Sequence, residues 1–281
     1  MKKYPLVSIN IRTYNSAATL EETLQSIKNQ SYPNIEILIA DNYSVDKTQE
    51  IAKKYKAIVH HASKLGDARY ENYRRSHGVY IFSVDSDQVL DEKLVEECVH
   101  LCEHDHDALI ISEKSIIRKG TVIEKLIAYD KWLIDRTLVL DTIAGAACPR
   151  FFRKSILEKT KWRKALSIFD DTILYAKLLE HGAKVGYITS SHIRHYEVTS
   201  WRTLYRKFYR YGKGYFEALA EQPLAVTTHS LPRRSYFKMI ALTKPHYFLG
   251  LFVLYGVKVI AASFGMVSSM VAQFFRQSEK I

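Results

Sequence analysis

The sequence predicts an α/β fold built on a mostly parallel, doubly wound sheet. Three observations carry this. Short apolar runs of strand character alternate with stretches of helical periodicity, the connections between them are a few residues long, and polar or acidic residues stand just past successive strand ends. Ligands of such sheets bind beyond the carboxyl ends of the strands, so those residues are the first candidates for function.

Leu6–Ile11 alternates as a strand, and Thr13, Tyr14, Asn15 and Ser16 close it. A helix is expected over 17–30, with Leu20, Leu24 and Ile27 on one face. Pro33 and Asn34 turn the chain into a second strand, 35–40, which ends at Asp41 and Asn42. Asp46-Lys47-Thr48-Gln49 has the spacing of a capping box for a helix reaching Tyr55. A third strand, 58–60, leads to Gly66 and a helix over 67–76 that Gly78 ends. The run Val79–Val84 then reads as a short buried strand that delivers Asp85, Ser86 and Asp87.

Two carboxylates one residue apart repel, and neither has a basic neighbour in sequence. Asp-x-Asp at a strand end suits a hard divalent cation such as Mn²⁺ or Mg²⁺, which takes carboxylate oxygens and keeps positions open for substrate phosphates. The plainer alternative is a polar exit from a strand, where Asp and Ser are good turn formers. Tyr14, Asp41 and the 85–87 pair all fall past strand ends, and that convergence favours the ligand site. No Gly-x-Gly-x-x-Gly follows the first strand, which argues against a dinucleotide oxidoreductase.

The chain has 281 residues with a formal net charge of +11 and a sequence pI near 9.3. These numbers point to an anionic partner, whether a phosphorylated substrate, a membrane surface or nucleic acid. Three cysteines and no recognisable leader suggest a reducing, cytoplasmic setting. Cys98 and Cys102, near His100, His104 and His106, have zinc-like spacing, but no second Cys pair follows, and one buried face of a helix over 92–103 explains them.

Beyond it a strand (108–112), a helix (122–138), the small-residue stretch Gly145-Ala146-Ala147 and an aromatic strand (151–153) are expected. Phe169-Asp170-Asp171 opens a helix that stops at His181-Gly182. The two aspartates suit an N-cap and first turn, and one of them suits general-base work at an acceptor site. Short strands over 185–188 and 193–195 follow, and the imidazole of His195 is placed to be structural or to complete a metal's coordination.

The ordered set Val7-Ser8-Ile9-x-Ile11-x-Thr13-Tyr14-Asn15, Asp41-Asn42-x-Ser44-x-Asp46, Gly66-x-Ala68-Arg69, Gly78-x-Tyr80-Ile81 and Asp85-Ser86-Asp87 resembles the family 2 glycosyltransferases over about residues 4–200. Asp170-Asp171 looks like that family's acceptor-side acidic motif. The resemblance implies a nucleotide-sugar-dependent GT-A fold. It implies that Thr13, Tyr14, Asn15, Asp41, Asn42, Arg69, Asp85 and Ser86 line the donor, with Tyr14 stacking on the base, Asp41 hydrogen-bonding it and Arg69 facing the diphosphate. By the same resemblance Asp85 contacts ribose or metal, Asp87 holds Mn²⁺ or Mg²⁺, and Asp171 is the base of an inverting transfer. Three positions depart from the pattern: Arg12 stands where Pro is usual, Tyr70 where Asn is usual, and the acidic motif is Asp-Asp rather than Glu-Asp.

From Trp201 to Phe216 arginines and lysines interleave with aromatics, a composition that suits single-stranded nucleic acid or an anionic bilayer surface. Arg233, Arg234, Lys238 and Lys244 then lead into 247–275, whose only charge is Lys258. That run exceeds the roughly 20 residues of a membrane span. It favours membrane attachment on the cytoplasmic face over nucleic acid, with a buried helix pair as the soluble alternative. The expected organisation is a catalytic domain over 1–200, divided near residue 90 into donor and acceptor halves, and a membrane-associating region over 201–281. The expected function is metal-dependent, inverting transfer of a sugar from a UDP- or GDP-linked donor to a lipid-linked or polysaccharide acceptor. The competing expectation is a membrane-bound nucleic-acid- or lipid-binding module with a vestigial catalytic fold.

Overall fold

The structure, a computed structural model, describes residues 4–62, 65–138, 147–160, 168–230 and 244–278. Gly145 and Ala146 of the small-residue stretch, and Arg233, Arg234 and Lys238 of the basic cluster, lie outside the described residues. The chain divides into two compact units, one drawn from 4–114 and 147–195, the other from 115–138 and 196–278.

In the first unit β1 (Val7–Thr13), β2 (Ile35–Asp41), β3 (Ile58–His61) and β4 (Tyr80–Asp85) are joined by α1 (Leu20–Lys28), α2 (Thr48–Lys54) and α3 (Leu65–Arg75). β5 (Gln88–Leu90), α4 (Leu94–His104), β6 (Ala108–Ile116), β7 (Phe151–Arg153), α6 (Lys154–Lys159), α7 (Asp170–Glu180) and β8 (Val185–Tyr196) follow, with α5 (Val122–Thr137) belonging to the second unit. Among the described residues the strands make one eight-stranded sheet in the order β3-β2-β1-β4-β7-β6-β8-β5. β3, β2, β1 and β4 run parallel, whereas β7 turns antiparallel against both β4 and β6.

The core-facing residues of β1 and β2 are apolar because helices cover them: Val7, Ile9 and Ile11 of β1 and Leu38 and Ile39 of β2 are fully buried. Their core continues through Leu20 and Leu24 of α1 and through Cys98 and Cys102 of α4, both free thiols that pack as small apolar groups.

Several local expectations change in three dimensions. The capping box at 46–49 does not close. Asp46 accepts from Thr48 and from the Ala17 N–H, while the Gln49 amide is drawn to Asp41 instead. A reciprocal capping box forms at Thr121 and Glu124, opening α5. Asp170 is the first residue of α7 and not its cap; that place falls to Phe169, at φ 55°, with no side-chain cap. The two short strands expected near 185 and 195 are one strand, β8, which bridges them because both halves pair inside the sheet.

In the second unit α5, α8 (Trp201–Glu221) and α10 (Pro245–Ser278) pack around Ile123, Leu126, Leu133, Leu204, Leu251 and Leu254, and α9 (Pro223–Ser230) lies against α8. By length and composition α10 is the one helix among the described residues apolar enough to cross a membrane.

Candidate active site

The site is set by register. β1 is central, and its last residues pair with the ends of both neighbours: Thr13 lies beside Asp41 of β2, and Arg12 beside Asp85 of β4. The parallel sheet thus brings three strand ends to one edge, the place where such folds bind ligands.

At the β2 end Asp41 is fully buried. Its carboxylate accepts from the Thr13 hydroxyl at 2.7 Å, the Ser44 hydroxyl at 2.6 Å and N–H at 2.9 Å, and the Gln49 amide at 2.9 Å. Burial opposes its ionisation, but these donors from Ser44, Thr13 and Gln49 win and hold the pKa below the usual carboxylate range. The loop around it is stitched by Asn15, whose N–H donates to Ser44 and whose side-chain oxygen accepts from the Val45 N–H, and by Asn42, whose N–H donates to the Thr13 carbonyl. Tyr14 projects from this rim, 58 % exposed. Tyr43, at φ 55°, stacks on His61 with centroids 4.8 Å apart and planes within 7°. Neither Tyr43 nor His61 is singled out by the sequence, since their pairing depends on β2 and β3 lying side by side.

At the β4 end Asp85 is held by arginines from both sides. Arg12 reaches one carboxylate oxygen at 3.1 Å and Arg150 the other at 3.1 Å, while Arg150 also pairs with Glu113 at 2.9 Å. Burial would raise the Asp85 pKa, yet Arg150, Arg12, Arg69 and His195 together hold it well below the carboxylate range. Burial likewise opposes the charge of Arg12 and Arg150, and their carboxylate partners overcome it. Neither carboxylate has a basic neighbour in sequence, and the arginines that hold Asp85 come from far along the chain. Arg12, read as a departure from pattern, is a connector: its other nitrogen lies 3.5 Å from Asp170, which Arg69 approaches at 3.2 Å as an ion pair without a hydrogen bond. Asp170 is 7 % exposed; Asp171, beside it, is partly exposed and accepts from the N–H of Thr172. Ser86 links the turn to the first loop by a 2.9 Å hydrogen bond with Ser16.

Asp87 stands outside the arginine network. β5 pairs with β8, Gln88 opposite His195, and this sets the imidazole Nε2 3.2 Å from an Asp87 oxygen. Among the described residues no cluster of three or more His, Cys, Asp or Glu could hold a metal. Two protein ligands are nonetheless enough for a cation whose remaining positions are filled by phosphate oxygens and water, and neighbouring ligands on such an ion sit about 3 Å apart. Asp87 and His195 fit that arrangement, whereas both oxygens of Asp85 are taken by arginines.

Residues 8–161 match the family model described as Glycosyl transferase family 2. This chain belongs to that family. Among curated relatives of this glycosyltransferase-family chain, Poly(ribitol-phosphate) beta-N-acetylglucosaminyltransferase TarP of Staphylococcus aureus (strain N315) is 28% identical over 173 residues, 57% of this chain and 52% of TarP. The chain thus spans about half the length of that relative. In structure it is similar to S. aureus TarS 1-349 in complex with UDP-GlcNAc, with a TM-score of 0.55 and 17% identity over 86% of this chain and 75% of that one. It is similar also to a mannosyltransferase from Pyrobaculum calidifontis in complex with GDP-Man and Mn²⁺, with a TM-score of 0.60 and 16% identity over 95% and 88% of the two chains. The fold is accordingly GT-A, the α/β architecture that the resemblance implies.

Proposed function

We propose that this chain transfers a sugar, with inversion, from a UDP- or GDP-linked donor to a lipid-linked or polysaccharide acceptor at the cytoplasmic membrane face. The observation that carries this reading is the meeting of three strand ends, with exposed Tyr14 on one side and Asp85 and Asp87 on the other. Tyr14 offers an aromatic face to the donor base, with Thr13, Asn15 and Asn42 framing it. Asp41 meets the base only by exchanging one of its four internal partners. Arg69 and Arg12 offer positive charge to the diphosphate, and Ser86 orders the turn beneath it.

In a single displacement the acceptor hydroxyl oxygen bonds to the anomeric carbon while the bond to the diphosphate oxygen breaks. The nucleoside diphosphate leaves with the electron pair, and the hydroxyl proton passes to a carboxylate. A neutral hydroxyl is a poor nucleophile, so a base positioned for that proton accelerates the step. Asp171 is the better candidate, because the oxygen of Asp170 faces two guanidinium groups and its side chain is buried. Asp170 then positions Arg12 and Arg69. A divalent cation at Asp87 and His195 would supply electrostatic stabilisation to the leaving diphosphate.

The test is transfer and donor hydrolysis with UDP-GlcNAc and GDP-Man, with and without Mn²⁺. Asp171→Asn is expected to lower turnover about 10²- to 10⁴-fold with donor affinity nearly unchanged. Equal turnover by Asp171→Asn and the unsubstituted chain would remove the base assignment. No binding of either nucleotide sugar, with or without Mn²⁺, would remove the donor reading itself.

A further inference from the structure

Just past the end of β2 a tyrosine occupies a backbone conformation that disfavours it. Tyr43 holds φ 55°, in the left-handed region that L side chains enter at a cost and glycine enters freely. Asn15, at φ 49° in the neighbouring loop, is of the short polar type that tolerates this region; a tyrosine is not. The conformation is imposed from both sides. Ser44 gives its hydroxyl and its N–H to the Asp41 carboxylate, and the Asn42 N–H donates to the Thr13 carbonyl, so the backbone between them is fixed. Burial does not offset the strain, because Tyr43 is 59 % exposed. Among the described residues its ring partner is His61, itself exposed. A glycine would suit this loop better, and what the tyrosine adds is a ring with one face open.

His61 ends β3 opposite Asp41, with its Nδ1 4.0 Å from the Asp41 carboxylate, and the Tyr43 ring lies nearly parallel to the imidazole. The Tyr43–His61 pair therefore stands on the β3 side of Asp41. Tyr14 stands on the β1 side, one residue past the Thr13 that donates to the same carboxylate. The two loops are tied together: the Asn15 N–H donates to the Ser44 hydroxyl at 2.8 Å, and the Val45 N–H to the Asn15 side-chain oxygen at 3.0 Å. Two exposed tyrosines thus flank one buried carboxylate. The sheet order decides which part of a donor reaches them. β2 and β4 lie on opposite sides of β1, so two strand spacings, about 10 Å, separate Asp41 from Asp85. A donor whose diphosphate meets Arg12 and Arg69 beside Asp85 lays its base, and not its sugar, at the β2–β3 end.

We propose that Tyr43, backed by His61, is a second stacking residue for the nucleobase of the donor, opposite Tyr14. This rests on the donor reading above and adds to it the residue that covers the other face of the base. A planar base has two faces, and one aromatic side chain covers only one of them. The imidazole already stacked on Tyr43 holds the phenol ring in place, so little side-chain freedom remains to be lost when the base arrives.

The experiment is calorimetric titration of the full chain, with Mn²⁺ present, by UDP, UDP-GlcNAc, GDP and GDP-Man. For whichever nucleotide the unsubstituted chain binds, Tyr43→Gly should weaken binding about five- to hundredfold, the range of one base–aromatic stack. The loss should be the same for the nucleotide and for its sugar-bearing form. The melting temperature of Tyr43→Gly should equal or exceed that of the unsubstituted chain, because the backbone strain is relieved. Tyr43→Phe keeps the ring and should bind as the unsubstituted chain does, while His61→Ala should lose a smaller part of the affinity. Undiminished nucleotide binding by Tyr43→Gly overturns the inference. So does a loss confined to the sugar-bearing forms, which would place the ring against the sugar, and so does a lowered melting temperature, which would make the ring a support of the loop. Binding of none of the four by the unsubstituted chain would instead remove the donor reading itself.

Discussion

Asp41 and Asp85 end adjacent-but-one strands of the same sheet, and both are held ionised below the ordinary carboxylate range by different means. Asp41 is fully buried and is satisfied by neutral donors, two of which, Ser44 and Gln49, come from the loop and helix that follow it. Asp85 is held by charges, Arg12 from a neighbouring strand and Arg150 from far along the chain. Neutral donors, one from β1 and the others from the chain just beyond β2, hold this corner. A carboxylate between guanidinium groups belongs to a network, because each arginine has a second acidic partner: Asp170 for Arg12 and Glu113 for Arg150. The first corner keeps its shape by hydrogen bonds. The second couples the end of β4 to the start of α7.

Breaking the network should have the larger effect on stability. Arg150→Met leaves Asp85 and Glu113 each short of a partner in a mostly buried setting, and removing one side of such a pair costs about 3 kcal/mol. Urea denaturation should show this as a lowered midpoint, and adding Asp85→Asn to Arg150→Met should recover part of it. If the double variant is less stable than the unsubstituted chain by the sum of the two single costs, Asp85 and Arg150 are not coupled.

At the other corner Asp41→Asn replaces an acceptor oxygen by an amide that must face other donors. The expected cost is about 2 kcal/mol, that of leaving buried polar groups unsatisfied. Adding Arg150→Met to it should be additive, because the two corners share no partner. A measurable interaction energy between them would erase the contrast.

The smallest effect is on pH dependence. A carboxylate whose pKa is depressed in the folded state contributes stability that is present above its unfolded value, about 3.9 for Asp. That contribution is lost as pH falls through the lower folded value. Stability should thus be insensitive to Asp41 and Asp85 between pH 8 and about 5 and should fall below about pH 4. Asp85→Asn should flatten that acid limb, read as the slope of unfolding free energy against pH. A slope identical to that of the unsubstituted chain would mean that Asp85 is not held ionised by its arginines.

The sequence by itself determined the strand and helix order from β1 to β4, because apolar periodicity and loop length are local properties of the chain, but not β5 or α6, nor that β8 is one strand. It determined also that polar groups gather at the strand ends, since Thr13, Asp41 and Asp85 each follow an apolar run. The two faces of α10 were half legible. Its length and lone lysine are visible in sequence, but which side is covered depends on α5 and α8. Only the tertiary structure decided that Arg12 connects Asp85 to Asp170, that Arg150 closes the second oxygen of Asp85, and that Asp87 meets His195. These pairs join residues 65 or more positions apart. The physical reason is one of range. Helical and strand periodicity is written within a few neighbours, whereas the charge state of a carboxylate depends on whichever cations the sheet's register places within a few ångströms.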